Sequence, residues 1–164
     1  MSESKNITIM VGSGSEESNM MPLIQGYPDY MATYNMEDAN ADFFTTTLNK
    51  YDSNIYTFFK PGVSFAKDDA IVQIAKAFEK DPAVMAVVCD GFSKHNSIKH
   101  PYYLDTNRLT NINDSIPISF HKNIVKQLTF QEDVYKTLVD TLNSCISKQV
   151  LNIHIAEPLV VINE

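Results

Sequence analysis

Arginine is all but missing from this chain of 164 residues, with Arg108 the only one. The 20 acids outnumber the 13 lysines and arginine, giving a net charge of -7 and a pI near 5.0. No surface able to track a phosphate backbone is expected, which excludes DNA and RNA as partners. Cysteine is nearly as scarce: Cys89 and Cys145 have neither metal nor redox spacing, so no disulfide framework is indicated and both read as small core residues. No apolar run reaches the roughly 18 to 20 residues that span a bilayer. The polar start Met1-Ser-Glu-Ser-Lys-Asn6 leads into a strand rather than a signal-peptide core, so a soluble protein made in the cytoplasm is expected. Repeats, low-complexity tracts and linkers are also lacking. What is present is ordinary globular usage, 44% hydrophobic and 20% charged. The length suits one domain, residues 1–164, burying about two-thirds of the surface its unfolded chain would expose.

Strand and helix patterns alternate along the chain. Ile7-Thr-Ile-Met-Val11 reads as a first strand, closed by Gly12-Ser-Gly-Ser15. Glycine and serine at a strand end suit a phosphate loop, but the P-loop lysine and the G-x-G-x-x-G spacing are absent, so Gly12 and Ser13 read as turn residues or a ligand contact. A short helix is expected from Glu16 to Gln25 and a strand from Tyr30 to Tyr34. A second helix is expected from Ala39 to Tyr51, with a stripe of Phe43, Phe44, Thr47 and Leu48.

The organising stretch is Asn54 to Asp90. It offers a strand from Ile55 to Phe59, a turn at Lys60-Pro61-Gly62-Val63, a helix from Lys67 to Lys80 and a buried strand from Val84 to Val88. The helix carries Ile71, Ile74, Ala75 and Phe78 on one stripe, with Asp68 and Asp69 in its first turn and Lys80 in its last, where each suits the helix dipole. Open α/β sheets bind ligands beyond the carboxyl ends of such strands, so the turn at Lys60 is the first place to expect a site.

From Gly91 to Ser115 the composition turns polar and loses periodicity, which predicts a long functional loop without structure of its own. Its histidines, His95 and His100, have no neighbouring acid and make a poor metal site, so no metal ligand is assigned. A strand follows at Ile116 to Phe120 and a short helix at Lys122 to Leu128. The last helix opens at Thr129-Phe-Gln-Glu132, a capping-box pattern, and carries Val134, Leu138, Leu142 and Cys145. Leu151 to Ile155 is a closing strand, Glu157-Pro158 a turn, and Leu159 to Ile162 a last extended piece. His154 alternates with apolar neighbours and reads as a satisfied, half-buried imidazole rather than a ligand. The order predicts an α/β sandwich with a mostly parallel central sheet and helices on both faces.

Several stretches, taken in order, resemble one family. Ile55-Tyr-Thr-Phe-Phe-Lys-Pro-Gly62 with Phe65 is similar to the strand that ends in the Asp-x-Asp metal motif of family-two glycosyltransferases, and Ala77 to Asp90 to their next helix and strand. Ile116 to Phe120 with Phe130-Gln-Glu-Asp133 resembles the stretch leading to their catalytic Glu-Asp pair, and Ile153 to Leu159 the strand and turn that close their core. Ile7 to Tyr27 and Ala39 to Phe59 fit the upstream elements. The resemblance implies a GT-A fold, a Rossmann-like nucleotide-binding sheet, and inverting transfer of a sugar from a nucleotide-sugar donor to an acceptor hydroxyl. It implies Glu132 or Asp133 as the base. It also implies nucleotide contacts among the polar groups after the second strand, Tyr34, Asn35, Glu37 and Asp38, and Lys60 as a point charge for the diphosphate. The divalent metal implied for the leaving diphosphate needs acids where this chain has Lys60-Pro61-Gly62-Val63, so no site of the usual kind is expected. Two readings follow: a minimal, metal-independent transferase, and a GT-A domain without catalysis that serves with protein partners in an assembly. An asparagine- and lysine-rich, arginine-poor composition is compatible with a viral particle made in the cytoplasm.

Overall fold

The computed structural model describes residues 7–12, 30–34, 39–51, 53–60, 63–67, 69–93, 97–101, 103–105, 108–110 and 116–162. The helix expected at Glu16 to Gln25 lies outside them, as do Ser13, Asn35, Glu37, Asp38, Asp68 and His95.

One sheet organises the fold. Its strands are β1 (Ile7–Gly12), β2 (Tyr30–Tyr34), β3 (Ile55–Phe58), β4 (Val63–Phe65), β5 (Ala86–Ser93), β9 (Ile118–His121) and β10 (Asn152–Ile162), in the order β2-β1-β3-β9-β5-β10-β4. A short β6 (Ile98–Lys99) adds to β5, and β7 (Tyr103–Asp105) pairs with β8 (Arg108–Thr110) in a separate ribbon. Strands β2, β1, β3, β5 and β10 all run the same way, because β9 is antiparallel to both β3 and β5 and the other pairings among them are parallel. The mostly parallel sheet is therefore as expected. The direction of β9 is not visible in its own residues, since strand polarity is set by the chain path rather than by side-chain alternation. A buried hydrogen bond between the Thr57 and Ser119 hydroxyls, 2.8 Å, spans the β3–β9 pair.

The helices α1 (Ala41–Lys50), α2 (Ala70–Glu79), α3 (Lys122–Val125) and α4 (Val134–Ser147) cover both faces. On one face, α2 buries Ile71, Ile74, Ala75 and Phe78 against Val87, Cys89 and Ile162. On the other, Phe44 of α1 stacks on Phe58 and meets Phe130 edge-on, while α4 buries Val134, Leu138, Leu142 and Cys145 over Val88, Ile118 and Phe120. Each of the valine, leucine, isoleucine and phenylalanine side chains among them contributes about 1.5–3 kcal/mol by leaving water. Both cysteines are buried, as expected. The α1 helix begins where Asn40 accepts the Phe43 N–H at 2.9 Å. Among the described residues no helix is long and apolar enough to cross a membrane.

Several expectations are corrected. The central helix starts at Ala70 rather than Lys67; Asp69 sits at its N-cap position and Lys80 at its C-cap, rather than within the first and last turns. The Gly91–Ser115 stretch is not structureless: β5 continues to Ser93 and turns back into β6, and the β7–β8 ribbon follows. Glu157-Pro158 is not a turn but part of one continuous β10, which accommodates it through register shifts between Ile155 and Val160. Glu157 pairs there with Lys67. Val63, expected as the last residue of a turn, opens the edge strand β4.

Candidate functional site

Register places the candidate residues at one level across the sheet. Gly12 pairs with Tyr34, and Met10 pairs with Phe58, so Gly12 and Tyr34 stand level with Lys60, two residues beyond Phe58. Phe58 pairs with Ile118 and Ile118 with Val88, which brings Asp90 to the same level on β5. All lie at the carboxyl edge, where α/β sheets place their ligands. With strands about 4.8 Å apart, the backbones of Lys60 and Asp90 are separated by roughly 10 Å across β9.

At the β3 end of this edge, the Lys60 ammonium lies 4.7 Å from the ring centroid of Tyr135, in the first turn of α4. The space beneath, beside Phe58, Ile118 and Leu138, amounts to only about 10 Å³. A divalent ion implied for this turn does not fit the residues: a cation stands where ligands are needed, and Pro61, Gly62 and Val63 offer no side-chain oxygen.

The α4 N-terminus corrects the capping expectation. The N-cap is Asp133 rather than Thr129, and one Asp133 oxygen accepts the N–H groups of Tyr135 and Lys136, each at 3.1 Å. Thr129 and Glu132 therefore form no capping box. Thr137, one turn on, accepts the Gln131 N–H at 2.9 Å and fixes the approach to the helix. Glu132 is exposed just outside the cap.

At the β5 end, Asp90 is the only charged side chain that is buried among the described residues. Two histidines converge on its Oδ1: His154 Nε2 at 2.6 Å and His100 Nδ1 at 2.9 Å. A carboxylate oxygen only accepts, so both rings donate to it. The imidazoles meet edge to face, with centroids 6.3 Å apart. His154 is half-buried, as expected, but its partner is an acid 64 residues away, and His100 arrives on the segment after β6. Local spacing hid this cluster. The available signal was Asp90 itself, a carboxylate directly after the apolar run Val84 to Cys89 and so in need of partners.

A larger groove, about 530 Å³, runs along α4 beside α3 and the segment that leads from it, lined by Met85, Leu128, Gln131, Thr137, Ser144 and Val150 among others. Its lining includes none of Gly12, Tyr34, Lys60, Asp90, Glu132 and Asp133.

No protein-family model matches the chain, and no curated relative does. Solved structures do match. Glucosyl-3-phosphoglycerate synthase of Mycobacterium tuberculosis, solved with Mn2+, uridine diphosphate and phosphoglyceric acid, superposes with a TM-score of 0.64 at 10% identity, covering 98% of this chain and 71% of that one. The mannosyltransferase PcManGT of Pyrobaculum calidifontis, in complex with GDP-Man and Mn2+, gives a TM-score of 0.50 at 16% identity, covering 97% of this chain and 56% of that one. The fold defined by this sheet and its two helix layers is the GT-A fold of glycosyltransferases. At such identities the likeness concerns the fold.

Proposed function

We propose that the chain takes a nucleotide-sugar donor at the carboxyl edge of its sheet and passes the sugar, with inversion, to an acceptor hydroxyl. The observation that carries this reading is the GT-A fold over 98% of the chain, with an exposed carboxylate, Glu132, beside the N-terminus of α4. Glu132 is the base in this reading, because the Asp133 carboxylate already caps the helix. It takes the acceptor proton as the acceptor oxygen bonds to the anomeric carbon; the bond from that carbon to the diphosphate breaks and its electron pair leaves with the nucleoside diphosphate. Lys60 is assigned as the point charge for that leaving group. Gly12 and Tyr34, at the ends of β1 and β2, and the adjoining Ser13 and Asn35 are assigned to the nucleotide.

A second reading has its own support: no acid follows β3, and Lys60 lies over Tyr135 with almost no room beneath. A GT-A domain so altered suits a non-catalytic part of an assembly, such as a viral particle. A thermal-shift titration with UDP, GDP and their sugar conjugates, with and without manganese, separates the two. A donor at 100 times its dissociation constant adds about 2.7 kcal/mol. In the transferase reading one donor raises the unfolding midpoint, and Glu132→Gln abolishes turnover at nearly unchanged donor affinity. No shift with any donor, together with co-purification in a larger particle, replaces that reading with the assembly one.

A further inference from the structure

We propose that Asp90, His100 and His154 form a binding site for a divalent first-row transition ion of the zinc or cobalt type. The three offer one carboxylate oxygen and two imidazole nitrogens, all within 4.8 Å of one another. Around an ion with ligand bonds near 2.0–2.2 Å, tetrahedral donors stand about 3.4 Å apart. The measured 2.6 and 2.9 Å to the shared Asp90 oxygen are shorter by under an ångström, the sense expected when hydrogens rather than a metal hold the donors together. Inserting an ion requires a small outward movement of two rings. It requires no change of strand register.

The donors come from three places that only the tertiary fold unites. Asp90 and His154 stand on adjacent parallel strands, and His154, paired with Val88, projects on the same face of the sheet as Asp90. The register shift that follows Ile155 re-aims β10 beside them. His100 is delivered by the β5–β6 hairpin, in which Gly91 pairs with Lys99. Gly91 packs closely at this point: a Cβ there would come within 3.0 Å of the Ile116 side chain and 3.1 Å of that of Val160, so one of them would have to give by a few tenths of an ångström. The inner donors are Asp90 and His154, while His100 is 44% exposed and leaves the cluster open to solvent.

Two imidazoles and one carboxylate favour zinc, cobalt or nickel over magnesium and calcium, which prefer oxygen alone. Three protein ligands also leave a coordination position for water or an anionic ligand. The site is separate from the turn after β3, two strands away, and does not depend on the transferase reading.

The test uses the full, tag-free chain after dialysis against a chelator, titrated with zinc chloride by calorimetry and with cobalt chloride by visible absorption, without nucleotide. One ion per chain is expected, with cobalt d–d bands of a nitrogen- and oxygen-ligated ion and no displacement by excess magnesium. His100→Gln and His154→Gln should each weaken zinc by about tenfold or more, while His121→Gln should leave stoichiometry and affinity unchanged. Circular dichroism of the metal-free variants separates lost ligation from lost folding, and the exposed His100 provides the variant least coupled to the core. No binding, or binding unchanged in both His100→Gln and His154→Gln, overturns the proposal. Metal binding without any donor binding would keep this site and remove the transferase reading; the reverse outcome would do the opposite.

Discussion

His121 closes β9 and caps α3 with its own ring, whose Nδ1 accepts the Asn123 N–H at 3.0 Å. Partial burial, then the neighbouring Lys122 and Lys126, hold its pKa below the usual value of 6.5. The unfolded chain therefore takes up this proton first as pH falls. The stability contributed by the neutral ring is whole above about pH 6.5 and is lost as pH drops through the folded-state pKa. His121→Asn keeps a capping oxygen and removes the titration, so between about pH 7.5 and pH 5 its unfolding midpoint should fall less than that of the parent chain in parallel thermal melts. At this scale the sequence was legible where a residue's role depends on its neighbours in the chain. Burial of both cysteines followed from composition, and burial pushes the Cys89 thiol up to about 12. The Asp90–His154 contact depends on which strands lie side by side, and alternation within a strand carries no information about that.

Among the elements, α4 is where structure and chemistry compete for the same residues. Its interior stripe was readable from helical spacing, and Val134, Leu138, Leu142 and Cys145 are all buried. Its start was not, because Thr129 with Glu132 and Asp133 alone are both acceptable capping patterns, and the choice rests on where Phe130 packs against Phe44 and Phe58. Asp133→Ala should cost about 1 kcal/mol in chemical denaturation, and Asp133→Asn only a small part of that. A large loss with Asn as well would mean that the charge, rather than the cap, holds the helix end. The Gly91–Ser115 stretch was opaque for a related reason: its strands have only two or three residues each, too short for a period to register.

For the molecule as a whole, the succession of strands and helices was legible and the order of the strands in the sheet was not. Five co-directional strands can be arranged in many ways, and only β9, running against them, joins β3 to β5. The position of β9 has a temporal consequence. During synthesis β3 and β5 emerge well before the strand that lies between them, so until residues 118–121 are available both strands have an edge without its partner. A fragment of residues 1–115 should therefore be protease-sensitive and self-associating, whereas the chain through β10 should resist proteolysis under the same conditions. The central strand of the finished sheet is thus made after both of the strands that it joins, and it closes two open edges at once.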